Sequence, residues 1–287
     1  TSIGYPLGGP KSQYITNLEP TEDSTHQYPA VLDKQFIEYR DTIKDAYRRG
    51  ERGHLIFKAC LKDEPTLKTK DKVRVFQGAS IALQLLARQY FLPIARVISL
   101  YPLYSECAVG VNARGPEWEQ LHQHITYFGD DRILAGDYSK YDLRMPAQLI
   151  LASFSILEKI AKRCNYSDDD LIIMRGVATD IAYPVMAYNG DLLQLIGSNP
   201  SGQNLTVYIN SIGNSLLLRC GFYHIYPKAG DFRSIARMMT YGDDVKGSVH
   251  KSWSEFNHIS FAEFLSKHDM KFTMPDKESV PTKYMKD

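Results

Sequence analysis

The chain has 287 residues, 44% of them hydrophobic and 23% charged, which is the balance of a folded globular protein and not of a disordered one. Its 34 Lys and Arg stand against 33 Asp and Glu, for a net charge of +1. That excludes a polybasic nucleic-acid coat but leaves room for a locally basic channel.

In chain order, the first thirty residues carry Gly4, Pro6, Gly8, Gly9, Pro10, Pro20 and Pro29 and read as extended and loop-rich. From Val31 to Tyr47, apolar residues at helical spacing predict a helix, and Leu55 to Leu61 reads as a strand. A basic stretch follows through Lys58, Lys62, Lys68, Lys70, Lys72 and Arg74; between Arg48 and Arg74 nine Lys and Arg face four Asp and Glu. Ser80 to Ala95 and Glu117 to Tyr127 read as helices. Ile133 to Gly136 is a short buried strand ending at Asp137. Helices are predicted from Pro146 to Arg163 and from about Asp168 to Asp180, then a hairpin from Tyr183 to Ile196 turning at Asn189-Gly190. A polar loop, Gly197 to Gly202, leads into a helix from Leu205 to Cys220 stopped by Gly221. Met238–Tyr241 and Val245–Val249 form a second hairpin around Gly242-Asp243-Asp244, and a last helix spans Phe256 to His268. Without GxGxxG or a P-loop, the pattern fits an α+β sheet with helices on one face. The longest apolar run, Leu149 to Leu157, is shorter than the roughly 18 residues of a membrane span and contains serines. Cys60, Cys107, Cys164 and Cys220 form no CxxC pair and read as four buried free thiols. His122 and His124, two apart in a helix, point to different faces and make a poor metal pair. Thr1 in place of Met reads as a segment cut from a longer chain.

The acidic residues at strand ends are the most informative feature. Asp137 ends one strand, and Asp243 and Asp244 sit on the tip of a hairpin. If the two elements are neighbours in one sheet, their carboxylates repel unless a cation is shared between them. Mg²⁺ is the natural partner, since one or two carboxylates hold it while substrate phosphates complete the shell. Gly-Asp-Asp is equally a good turn sequence. Asp142 lies over the first turn of the next helix, where a sugar could lie or where its charge complements the helix dipole. Thr206 and Asn210 share one helix face, suited to ribose hydroxyls or to an internal network. Ser201-Gly202 gives a backbone that can approach a nucleic-acid strand closely. The basic stretch would neutralise a triphosphate or a phosphodiester backbone, or is a solvated loop. Lys277, after a Met-Pro-Asp turn, is a candidate proton donor or a surface lysine.

The order of these pieces is more specific than any one of them. The chain resembles the RNA-dependent RNA polymerases of picorna-like positive-strand RNA viruses. Thr1-Ser-Ile-Gly-Tyr-Pro6 looks like motif G, Lys62-Asp-Glu64 through Lys72-Val-Arg74 like motif F, and Asp137-Tyr-Ser-Lys-Tyr-Asp142 like motif A. Ser201-Gly-Gln-Asn-Leu-Thr206 with Asn210-Ser211 matches motif B, Tyr241-Gly-Asp-Asp244 motif C, and Thr273-Met-Pro-Asp-Lys277 resembles motif D.

The resemblance implies a right-hand polymerase fold: fingers over residues 1–94, palm over 95–182, a fingers insertion over 183–199 and palm again over 200–287, with an antiparallel palm sheet backed by helices. Motif E and the thumb are expected to be missing from this segment. It implies template-directed nucleotidyl transfer with two Mg²⁺ ions, replaceable by Mn²⁺, on Asp137, Asp243 and Asp244. Lys62, Lys72 and Arg74 would meet the triphosphate, and Asp142, Thr206 and Asn210 the ribose. Thr1, Ser2, Ser201 and Gly202 would meet template RNA, and Lys277 would protonate pyrophosphate. The implied partners are RNA template and primer, NTPs and other viral replication proteins. The implied place is the cytoplasm of the infected cell at membrane-associated replication complexes, with no transmembrane segment of the chain's own. A reverse transcriptase and a non-catalytic RNA-binding fragment are the alternatives.

Overall fold

The computed structural model describes residues 3–24, 28–65 and 74–287; Thr1, Ser2 and Lys72, all expected to be site residues, lie outside them. The elements are β1 (Ile15–Asn17), β2 (Ala30–Leu32), α1 (Lys34–Arg48), β3 (Ile56–Leu61), β4 (Val75–Gly78), α2 (Ile81–Leu100), α3 (Pro102–Ser105) and α4 (Pro116–Ile125). They continue as β5 (Ile133–Ser139), α5 (Tyr141–Arg144), α6 (Ala147–Arg163), α7 (Asp168–Ala182), β6 (Val185–Tyr188), β7 (Asp191–Gln194), α8 (Thr206–Ile225), β8 (Ala236–Tyr241), β9 (Asp244–Val249), α9 (His258–Ser266) and β10 (Lys271–Thr273). The chain divides into two compact units, Thr1–Leu92 with Glu158–Asn204 and Pro93–Leu157 with Leu205–Asp287. The boundaries expected from the sequence fell at 94, 182 and 199. The main difference is residues 158–182, which belong to the first unit because α7 packs on α1.

In the first unit a four-stranded sheet runs β4-β3-β6-β7, with β3 parallel to β6 and the other pairs antiparallel. Its β6–β7 hairpin turns at Asn189-Gly190, both at positive φ, as that dipeptide predicts. Asp33 caps α1 by accepting from Gln35 N, and a Ser167–Asp170 capping box opens α7. The two helices meet where Gly176 has no side chain: a Cβ there would lie 2.2 Å from Cγ of Tyr47. The Tyr47 hydroxyl donates to Asp180 at 2.7 Å, and Asp180 also accepts from Arg52 Nε and Gly53 N, each at 3.0 Å. Asp180 is fully buried, so these donors replace the water it has lost.

The second unit is built on an antiparallel sheet, β10-β5-β9-β8. Helices α8 and α9 pack on each other, α8 against β8 and α9 against β10, while α4 packs on β8 and β9. This is the α+β arrangement expected, except that helices cover both faces: Met239 of β8 packs on Leu121 and Ile125 of α4, while its strand neighbour Thr240 bonds to Ser211 of α8 on the other side. Two local corrections follow. Strand β5 does not end at Asp137 but runs to Ser139, because β10 pairs with Asp137, Tyr138 and Ser139 and extends the ladder. Nor does Gly221 stop α8, which continues to Ile225; a Cβ at Gly221 would meet the Phe261 ring of α9 at 2.7 Å, so the glycine serves close helix packing. Of the cysteines only Cys107 is buried; Cys60 is half-buried, and Cys164, just after α6, and Cys220, on α8, are exposed. Among the described residues α2, and not the helix around Leu149–Leu157, comes nearest to the length and apolarity of a membrane span. It is long and apolar enough to cross a membrane by length and composition alone, but just over half of it is buried within the protein, as in a core helix.

Asp180→Ala leaves the Arg52 guanidinium without its buried partner, and the expected loss is about 3–5 kcal/mol. Urea denaturation monitored in the first unit checks this; an unchanged midpoint would refute the packing role assigned to Asp180.

Candidate active site

The second unit brings Asp137, Asp142, Thr206, Asn210, Asp243, Asp244 and Lys277 into one compact body. Strands β5 and β9 are neighbours, with Gly136 opposite Val245, so the next step of the register sets Asp137 beside Asp244. Tyr241 pairs with Asp244 and closes a two-residue turn, in which Gly242 takes the left-handed conformation at φ 64°. Burial pushes the Asp243 carboxyl above its ordinary range, and Asp244, Asp142 and Asp137 push it further. Asp244 is raised by burial and by Asp137, an effect that Lys277 opposes. The Lys277 ammonium lies 3.0 Å from the Asp137 carboxylate.

These carboxylates are hard oxygen donors, crowded and partly desolvated, with one ammonium among them; that donor set fits Mg²⁺ or Mn²⁺. As the side chains stand, no group of three or more His, Cys, Asp or Glu among the described residues is arranged to hold a metal ion, and Asp137 is engaged by Lys277. His122 pairs with Asp287 at 2.9 Å, and burial lowers the His124 pKa.

Behind the carboxylates, Lys140 at φ 56° turns the chain from β5 into α5 and presents Asp142. Asn210 Nδ2 donates to Asp142 Oδ1 at 2.5 Å, and Tyr141 Oη donates to the Asn210 carbonyl at 3.2 Å. Thr206 opens α8 one turn before Asn210, on the same face. The turn is held from below by the same helix. Ser211 Oγ accepts from Gly242 N at 2.8 Å, and Asn214 Nδ2 donates to the carbonyls of Gly242, Asp243 and Asp244. Thr240 Oγ1 donates to the carbonyls of Glu106 and Ser211. The Glu106 carboxylate is itself buried between Arg219 and Ser215. A cavity of about 800 Å³ opens beside Asp137, Tyr241 and Asp244, walled mostly by apolar side chains such as Trp118, Leu121, Ile125 and Met239.

The remaining expected residues stand in the first unit. Lys62 pairs with Glu64 at 3.0 Å and Arg74 with Glu64 at 3.5 Å; the hydrogen bond from Lys62 holds the Glu64 carboxyl below its usual range. Ser201 donates through N and Oγ to Gln77 Oε1, and a Cβ at Gly202 would strike the Gln77 carbonyl at 2.0 Å. The close backbone approach read from Ser201-Gly202 is therefore made to β4, through a Gly78–Gly202 bridge.

The model of the viral RNA-dependent RNA polymerase family matches residues 1–287. The chain belongs to the viral RNA-dependent RNA polymerases. It is 25% identical to the genome polyprotein of Deformed wing virus over 99% of its length, covering 10% of that polyprotein. It is 28% identical to the replicase polyprotein of Cricket paralysis virus, covering 85% of this chain and 15% of the relative. It is also 28% identical to the genome polyprotein of Feline calicivirus, covering 96% and 15%. Among solved structures, the Sicinivirus 3Dpol RNA-dependent RNA polymerase superposes with a TM-score of 0.72 at 20% identity, over 100% of this chain and 57% of that one. The fold is thus the right-hand polymerase fold, and the chain spans 10–15% of these curated relatives and 57% of that polymerase.

In this polymerase-family chain the sequence reading missed Asn214, Tyr138 and Glu106. Asn214 carried a signal, because it extends the spacing of four from Thr206 and Asn210. Tyr138 and Glu106 carried none, since their partners come from distant elements.

A carboxyl that ionises less readily in the fold than in the unfolded chain costs stability at neutral pH, and that cost fades as the pH falls through its raised pKa. In EDTA at neutral pH, Asp243→Asn is therefore expected to raise the melting temperature by about 1–3 °C. Added Mg²⁺ should stabilise the wild type and do less for the variant. A lower melting temperature in EDTA would show that Asp243 is not under repulsion.

Proposed function

We propose that this chain forms fingers and palm of an RNA-directed RNA polymerase that extends a primer on an RNA template with NTPs. The observation that carries the proposal is the β5–β9 register, which sets the strand of Asp137 beside the Asp243-Asp244 turn. Two Mg²⁺ ions, or Mn²⁺, held by Asp137 and Asp243 with Asp244 in support, would draw charge from the transferring phosphoryl group. Asp142 and Asn210, already bonded to each other, would receive the ribose 2′-hydroxyl, with Thr206 on the same face. Lys277, whose ammonium lies 3.0 Å from Asp137, would give a proton to the departing pyrophosphate. Lys62, Lys72 and Arg74 would meet the triphosphate, and Thr1, Ser2, Ser201 and Gly202 the template.

The polyprotein context of the relatives supports work beside other viral replication proteins. We place that work in the cytoplasm of the infected cell, at membrane-associated replication complexes.

Primer extension on an RNA template with Mg²⁺, run with the 287-residue chain and with the full-length polymerase that carries it, tests the proposal. NTP incorporation should fall at least ~10³-fold in Asp243→Asn. Asn210→Ala should cut the preference for NTPs over dNTPs by ~10-fold. A wild-type preference for dNTPs would point to a reverse transcriptase. RNA binding without incorporation, indifferent to Mg²⁺ and to Asp243→Asn, would point to a binding module.

A further inference from the structure

Asn214 lies at the centre of α8 and is wholly buried. Its amide nitrogen stands 3.3, 3.2 and 3.3 Å from the carbonyl oxygens of Gly242, Asp243 and Asp244. Three consecutive carbonyls of a hairpin turn thus face a single NH₂ group, which serves them through shared hydrogen bonds. The orientation of the amide is fixed by chemistry. Turned over, its oxygen would face three acceptors and no donor. The oxygen is therefore left for Tyr138, whose hydroxyl donates to it at 3.0 Å.

Tyr138 follows Asp137 directly, and alternation along β5 sends the two side chains to opposite faces of the sheet. Its ring is buried against Tyr141 and Phe272, with centroids 4.6 and 4.9 Å away. A single buried amide therefore joins the strand that carries Asp137 to the turn that carries Asp243 and Asp244. One helical turn earlier, Ser211 takes the Gly242 N–H, so α8 grips the turn through both its donor and its acceptors.

We infer that Asn214 and Tyr138 are a positioning pair that presets Asp137 against the Asp243-Asp244 turn for a divalent cation; this rests on the polymerase reading above. Neither side chain touches a substrate or donates a ligand. Their effect is exerted through the main chain of the turn and the placement of the strand. Three mutually repelling carboxylates would otherwise drift apart, and the cation would have to gather them at the expense of its own affinity. A pair that only satisfied buried polar groups would affect stability and leave cation affinity in the folded protein untouched.

The test uses Mn²⁺ alone, titrated by electron paramagnetic resonance into the full-length chain that carries these residues, with folding checked by circular dichroism. Asn214→Ala is expected to weaken Mn²⁺ binding by ~10-fold and Tyr138→Phe, which keeps the ring packing, by ~3-fold. The double variant should bind no more weakly than Asn214→Ala, since the two act through one contact. If Asn214→Ala fails to fold, Tyr138→Phe alone decides. Unchanged Mn²⁺ affinity in a folded Tyr138→Phe overturns the inference, whatever its melting temperature, and additive losses in the double variant overturn the pairing. The titration contains no RNA or NTP, so failure of the wild type to synthesise RNA would sink the polymerase reading while this coupling is still measured.

Discussion

The constraint on which the second unit depends is the confinement of like charges. Asp137, Asp243 and Asp244 lie on adjoining strands in a partly buried place, and Asp142 adds its field to theirs. Left to themselves these groups would favour a looser turn and a splayed strand pair. The arrangement survives because the sheet around it is tightly specified. Gly136 leaves room for the Phe272 ring, which a Cβ would meet at 2.2 Å, and so lets β10 lie against β5. Gly242 accepts a left-handed conformation that costs other residues roughly 1 kcal/mol or more. Each of these choices narrows the positions open to the carboxylates before any cation arrives.

Helix α8 carries the other half of that restraint. It buries Ile209, Ile212, Leu217, Leu218 and Phe222 on several sides, so it is a core helix and not an amphipathic surface one. Yet it also carries Asn210, Ser211 and Asn214 into the interior. Buried polar groups of this kind stabilise only when fully satisfied, and each here has named partners: Asp142 for Asn210, Val207 and Gly242 for Ser211, Tyr138 and the turn carbonyls for Asn214. The helix register then does double duty. Residues four apart address Asp142 through Asn210, and the turn through Asn214. Arg219, one further turn along, clamps the buried Glu106, whose own carbonyl anchors Thr240 just ahead of the turn.

Much of this was legible in the sequence wherever a local rule sufficed. The Asn189-Gly190 hairpin follows from two residues that tolerate positive φ, and the carboxylates of motifs A and C were found because acidic residues at strand ends are chemically conspicuous. Local rules failed where a distant partner decides. Gly221 looks like a helix stop until the ring of Phe261 occupies the space beside it. Strand β5 looks finished at Asp137 until β10, more than 130 residues later, extends its ladder. Cys164 and Cys220 were assigned to the interior on residue type alone, which says nothing of the face a helix position occupies.

The charged groups outside the core follow a different logic. Lys277 pairs with Asp137, and Glu64 pairs with Lys62 and Arg74, each within its own unit. Lys277 is well exposed, as are Lys62 and Arg74, and ion pairs in contact with solvent are worth about 0–1 kcal/mol. Such pairs orient their side chains without binding them tightly. The buried contacts behave oppositely: Asn214 cannot change partners without stranding a polar group inside the protein. Buried amides hold their partners in place, and the solvent-exposed ion pairs are the contacts that can exchange.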